Sequence, residues 1–287
     1  MAVALPVRSL ALVAVASLLA AVPARAQLAL DVSGGVDFAN GYVDRGVILS
    51  TQPIFQPHLG VALPVGASGG TIGLGLTATL EPITLDSTRY YAMAPGAKAP
   101  NLAEVRPALM LSQAFGIVRF SFGAAGRIYP GKTGITKAGN VLSVQSAVGL
   151  RTPLAPKLLF SYDMGGINGA YFEGELAQAI RVARGAALVL GGRAGWAVNQ
   201  AADSTVAAFA PYTRDGFTHL ELTAGMRLAV AGAEVEPYVA WTRVPDPLVA
   251  TSGPSRQRAR YFWVGAKLGV SGRFPKARAA AKPPTAS

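Results

Sequence analysis

The sequence predicts an all-β fold, a closed antiparallel β-barrel that spans a membrane with about twelve strands. Three observations predict it. Beyond Gln27, apolar and polar residues alternate with period two, which places successive side chains on opposite faces of a strand. The connections between these segments alternate between short and long. After residue 26 no uninterrupted apolar run is long enough for a membrane helix, so a membrane-spanning form of this chain must satisfy its backbone as a closed barrel.

Composition bounds the function classes. The 287 residues are 51% hydrophobic and 14% charged, with 33 glycines and no cysteine. Without cysteine there is no disulfide framework, thiolate metal site or cysteine nucleophile. Residues 1–26 read as a secretory signal: Arg8 near the start, an apolar stretch from Ser9 to Val22, the breaker Pro23, and Ala24-Arg25-Ala26 as a small-x-small cleavage site. Removing Arg8 and Arg25 with the signal leaves 24 basic residues against 15 acidic, a net charge of +9. Those charges are spread singly on an exported chain, so nucleic acid is not an expected partner.

In chain order the alternation marks segments at 28–38, 54–63, 71–81, 103–112, 117–129, 141–151, 157–164, 171–182, 186–197, 217–229, 234–243 and 261–274. Most match the roughly 9–11 residues of a tilted membrane strand. The last segment shows the pattern best: Phe262, Val264, Ala266, Leu268 and Val270 alternate with Gly265, Lys267, Gly269, Ser271 and Arg273. Links such as Ala183-Arg184-Gly185 and Val230-Ala231-Gly232-Ala233 are short, whereas 82–102, 130–140, 198–216 and 244–260 are long. Short periplasmic turns and longer extracellular loops are the habit of outer-membrane barrels, and an even strand number returns both termini to the periplasm. A soluble sandwich also alternates. Here one face carries Phe, Leu, Val and Trp while the other is rich in Gly, Ala, Ser and Thr with scattered charges, which suits a lumen and makes a poor dry core. Phe38, Phe55, Phe172, Trp196 and Trp241 fall near strand ends, as interfacial girdles require. Pro57, Pro107 and Pro237 lie inside strands, where local bulges are expected to accommodate them.

Two segments carry a resemblance. Asn40-Gly41-Tyr42-Val43-Asp44-Arg45-Gly46 resembles a Tyr-x-x-Arg-Gly motif. Tyr162-Asp163 and Gly169-Ala170-Tyr171-Phe172-Glu173 together resemble an Asp … Gly-x-Tyr-x-Glu pattern. Both are similar to bacterial outer-membrane barrels known as the TorF-family porins. The resemblance implies a porin-like barrel over most of the mature chain, without a substrate. Outer-membrane barrels usually end at an aromatic residue. Here Phe274 is followed by residues 275–287, rich in Ala, Pro and Lys and expected to form a disordered periplasmic tail. The organisation is therefore signal 1–26, barrel 27–274 and tail 275–287.

By strand parity Arg106, Arg119, Arg127, Arg151, Arg181, Arg193, Arg227, Lys267 and Arg273 point into the lumen. So do Asp31, Asp37, Glu81, Glu104, Asp163, Glu173, Glu175, Glu221, Glu234 and Glu236, nearly balancing them. The excess positive charge then falls in the tail and in loops and strand tops. These hold Arg45, Arg89, Lys98, Lys132, Lys137, Arg214, Arg243, Arg256, Arg258 and Arg260 against Asp44, Asp86, Asp203, Asp215 and Asp246. Arg256, Arg258 and Arg260 are the extracellular-mouth candidates. Two readings follow. One is a narrow channel for small polar solutes with weak charge selectivity. The other is a closed-lumen barrel with a structural or surface-binding role. A lipid hydrolase is the remaining alternative. It would need a base beside a nucleophile, and His58 and His219 form no such constellation in the sequence, so no enzymatic activity is expected. No metal site or cofactor is expected. The expected partners are outer-membrane lipid and lipopolysaccharide, the barrel-assembly machinery and small polar solutes, in the bacterial outer membrane.

Overall fold

Strict period-two alternation leaves each strand one apolar and one polar face, and a sheet of such strands removes its edges by closing on itself. A computed structural model describes residues 29–50, 53–65, 70–81, 101–128, 140–165, 168–200, 212, 215–244 and 260–274. Residues 1–26 and 275–287, expected to be a signal and a tail, lie outside the described residues, as do Arg256 and Arg258. The strands are β1 Leu30–Ala39, β2 Tyr42–Asp44, β3 Val47–Ser50, β4 Ile54–Val65, β5 Gly70–Glu81, β6 Asn101–Phe115 and β7 Val118–Arg127. They continue as β8 Val141–Leu150, β9 Lys157–Gly165, β10 Gly169–Ala183, β11 Ala186–Val198, β12 Gly216–Val230, β13 Ala233–Arg243 and β14 Arg260–Phe274.

Twelve of these close an antiparallel barrel in the order β1-β14-β13-β12-β11-β10-β9-β8-β7-β6-β5-β4. The closing seam runs from Leu30↔Phe274 to Ala39↔Gly265. Strands β2 and β3 stand apart as a two-stranded hairpin within the link from β1 to β4. The short turns lie at the end of the barrel where β1 begins and β14 ends, here the turn end; the hairpin springs from the opposite loop end. One link breaks the short-long alternation: β9 and β10 are joined at the loop end by residues 166–168 only.

The outward face is apolar. Leu59, Leu111, Phe122, Leu176, Leu222 and Leu268 are all exposed, which is the belt a bilayer covers. Aromatic pairs mark its margins. Phe38 and Phe55 pack at 4.8 Å and Phe160 and Phe172 at 5.1 Å toward the loop end, while Phe115 and Phe120 meet at 6.1 Å at the turn end.

The strand prolines correct the expectation of bulges. Each interrupts the ladder on one side and leaves register unchanged. Pro57 pairs with Val36 in an unbroken β1–β4 ladder, while the β4–β5 ladder steps from Phe55↔Leu80 to His58↔Thr77. Pro107 likewise pairs on the β5 side and Pro237 on the β14 side. A missing N–H costs one neighbour's bond and does not require an extra residue. Register shifts occur elsewhere, at Thr79/Leu80, Arg181/Ala183 and Gly195/Trp196. The last leaves Thr218 as an extra residue, so that Thr218 and His219 are both buried.

The buried apolar cluster of the described residues is small. It comprises Ala39, Tyr42, Ile54, Tyr171, Ala197 and Tyr212. It contains a hairpin residue, Tyr42, and lies within the loop half of the lumen.

Candidate functional site

The β2–β3 hairpin folds into the barrel. Its turn is Arg45-Gly46, with φ of 50° and 83°, the two positive values that a two-residue type I′ turn demands. Its base is fixed by Asn40, whose side-chain Oδ1 accepts from the Val264 backbone N–H at 2.9 Å while its own N–H donates to the Val264 carbonyl at 3.0 Å. Tyr42, Val43 and Arg45 are buried. At the tip, a Cβ on Gly46 would lie 2.6 Å from the Cβ of His219, so only glycine lets the turn lie against β12.

From its root between β1 and β4, the hairpin reaches β9, which lies halfway round the closed order. Arg45 Nη1 donates to Asp163 Oδ2 at 2.6 Å and Nη2 donates to Ser161 Oγ at 3.0 Å. The Arg45 guanidinium lies 4.4 Å from the centre of the Tyr171 ring, a cation–π contact. Asp163 also accepts from Ser143 at 2.6 Å and from the Gln200 amide at 3.0 Å. Asp44 faces the other wall, with Arg106 Nη1 at 3.1 Å and Arg127 Nη1 at 3.3 Å on its two oxygens. The Tyr212 hydroxyl donates to the Arg45 carbonyl at 2.9 Å. Burial would raise the Asp44 carboxyl, but Arg106, Arg127 and Arg45 outweigh it and hold the group well below the usual carboxylate range. Asp44 therefore stays charged at every physiological pH.

The two motifs of the sequence thus meet in space. Arg45 of the first rests on Asp163 and Tyr171 of the second, while Gly46 lies against Thr218 and His219 of β12. Tyr171 donates to Glu173 at 2.6 Å, and His219 Nε2 lies 3.7 Å from the same carboxylate.

The sequence-predicted lumen residues divide by depth. Glu104, which accepts from Arg106, is fully buried, and Glu173 and Glu221 are buried with it in the loop half. Arg193 pairs with Glu221 at 2.8 Å, its direct cross-strand partner. Further down, Arg227 pairs with Glu236 at 2.8 Å, Lys267 with Glu236 at 3.4 Å, Lys157 with Glu175 at 2.9 Å and Arg273 with Asp31 at 2.8 Å. Apart from the buried Glu236, these side chains stay wet: Lys267 is 51% exposed and Arg273 60%. Arg119 and Arg181 are exposed on β7 and β10, with no ion pair among the described residues. Arg151 follows β8 in a turn, so it belongs to the rim and not to the barrel wall. Arg260 opens β14 and is exposed. Asp44 and Arg45, expected among the loop charges, lie inside. Ser143, Ser161, Gln200 and Tyr212 carried no sequence signal of their own, because their role is to hold partners far away in the chain.

Neither a protein-family model nor a curated protein matches the chain. Solved structures of outer-membrane barrels do. The translocator domain of the autotransporter NalP from Neisseria meningitidis aligns at 13% identity and a TM-score of 0.44, covering 93% of this chain and 95% of that one. The COG4313 outer-membrane channel from Pseudomonas putida F1 aligns at 10% and 0.47, covering 88% and 97%. LpxR from Salmonella typhimurium aligns at 9% and 0.45, covering 84% and 99%. At these identities the likeness is one of fold.

Proposed function

We propose that the protein is an outer-membrane channel, porin-like and narrow, that admits small polar solutes with weak charge selectivity and is constricted by the β2–β3 hairpin. The observation that carries the reading is the depth profile of the lumen. The turn half is lined by wet, cross-strand ion pairs and small residues, whereas the loop half is filled by a hairpin that belongs to no wall ladder. A barrel meant only as a scaffold would gain most by packing its whole length, as the smallest barrels do. Weak selectivity fits the pairing: most inward charges face an opposite charge on the next strand, which leaves little net field along the axis. The TorF-family resemblance agrees, since its two motifs form the hairpin and its seat. We orient the termini to the periplasm, which places the constriction in the extracellular half, against outer-membrane lipid and lipopolysaccharide. An enzymatic role is not part of this proposal. His219 lies fully buried beneath Gly46, where a general base would have no access to lipid.

Planar-bilayer recording of the purified mature protein tests the reading. Small discrete conductance steps with a reversal potential near zero in a salt gradient are expected. Deleting residues 42–50 and bridging the gap with glycine and serine should enlarge the steps several-fold, on the order of the widening that removing a lumen plug produces. No steps from either form, at any voltage, would favour the closed barrel with a structural or surface-binding role.

A further inference from the structure

We propose that the Asp44-Arg45 turn occupies a dipolar binding site built into the barrel wall, and that the preferred solute is a small zwitterion carrying a carboxylate and a guanidinium or ammonium group. This rests on the channel reading above. The site has two halves on different strands. On β6 and β7, Arg106 and Arg127 each take one oxygen of the Asp44 carboxylate, at 3.1 and 3.3 Å. Two guanidiniums, one per oxygen, form a carboxylate site. On β9 and β10, Asp163 takes the Arg45 guanidinium at 2.6 Å, with the Ser161 hydroxyl at 3.0 Å and the Tyr171 ring at 4.4 Å. A carboxylate, a hydroxyl and an aromatic face together form a cation site.

The wall groups are held in place by other wall groups. Asp163 accepts from Ser143 at 2.6 Å, Ser161 at 3.2 Å and Gln200 at 3.0 Å, and Tyr171 donates to Glu173 at 2.6 Å. Arg106 lies against Glu104. The receptor is therefore preorganised apart from its occupant. Gln200 adds an independent observation. It is fully buried, and its amide oxygen has no hydrogen-bond partner among the described residues, although its nitrogen serves Asp163. A buried acceptor left unmet is costly, and an N–H from a cationic ligand on Asp163 would meet it. A simple plug would need no such matching, because apolar side chains filling the same space are as stable as a buried ion pair or more so. Opposite charges on adjacent hairpin residues, each met by its own half-site, describe an occupant that a compact molecule bearing both charges can replace.

Free L-arginine is the probe, with agmatine, which lacks the carboxylate, as its control. The double variant Asp44→Asn, Arg45→Gln removes both charges from the turn and leaves the wall intact. Isothermal titration of the folded barrel in detergent should show arginine binding about tenfold tighter to this variant than to the unaltered protein, whose turn competes, and about tenfold tighter than agmatine, the step expected for one charge-assisted contact. Adding Arg127→Gln should abolish the preference over agmatine, and adding Asp163→Asn should weaken both ligands. In bilayers the same arginine concentrations should reduce the current through the double variant. Heat of binding without any conductance would keep the site and sink the channel. Conductance that arginine leaves unchanged, with no heat, would overturn the site and keep the channel. Equal affinity for arginine and agmatine would overturn the zwitterion. A second readout needs no variant: arginine should speed hydrogen exchange of amides 42–50 in the unaltered protein while agmatine does not. Exchange unmoved by arginine would count against displacement of the turn.

Discussion

Gly46 and Gly232 share nearly one backbone conformation, φ of 83° and 85°, in opposite surroundings. Each is the second residue of a two-residue turn, after Arg45 and Ala231 respectively, both also at positive φ. Around Gly232 a Cβ would meet nothing within 4 Å, while at Gly46 it would press on His219. Alanine at either position pays the same conformational cost, on the order of 1 kcal/mol. Gly46→Ala should lose about 1–3 kcal/mol more through overpacking. Urea midpoints read from the heat-modifiable gel band of each variant separate the two contributions. Equal losses would mean that the turn does not lie against β12.

At the scale of the element, each wall strand has two chemically different faces, and β12 allows a comparison at one depth. Leu222 is exposed on the outer face and Thr223 turns inward beside Gly191. Leu222→Arg should cost about 2–4 kcal/mol if it lies near mid-membrane, and Thr223→Arg much less, because the lumen hydrates a guanidinium. Similar losses at both would contradict the assignment of faces. All twelve wall strands were legible in the sequence to within a few residues because period-two alternation is local: Leu220, Leu222 and Ala224 announce their side without reference to any other strand. The hairpin was not legible. Strands β2 and β3 have three and four residues, too few to show a period. What seats them is a contact between Arg45 and Asp163, 118 residues apart. The Tyr-x-x-Arg-Gly motif that includes Arg45-Gly46 was visible, but a motif says nothing about whether it points to solvent or into a lumen. The prolines were misread for a related reason: which ladder loses the N–H depends on the neighbour, and sequence gives no neighbours.

The described barrel is asymmetric along its axis, and that asymmetry comes from its links and not from its wall. A closed antiparallel sheet has identical ladders at both ends, so nothing in the wall itself would make one half dry. Among the described residues, drying comes from the β2–β3 hairpin turning inward, joined by the buried Gln200 and Tyr212 of the β11–β12 link. Side chains of equal chemistry then differ by depth: Asp163 is 6% exposed and Asp31 45%. The chain contains no cysteine, so single cysteines can report the profile without background. Lys267→Cys and Arg273→Cys should react with a membrane-impermeant thiol reagent at least about tenfold faster than Ser161→Cys or Thr242→Cys in the reconstituted barrel, because reaction at a buried thiol waits on local opening. In whole cells the first pair should react only after the outer membrane is permeabilised, since the wet half faces the periplasm in the proposed orientation. Combining Ser161→Cys with Asp44→Asn and Arg45→Gln should bring its rate toward that of Lys267→Cys, because the ion pairs that seat the turn are gone. If Ser161→Cys already reacts as fast as Lys267→Cys beneath the intact hairpin, the loop half is not dry, and the hairpin lies beside an open lumen without closing it.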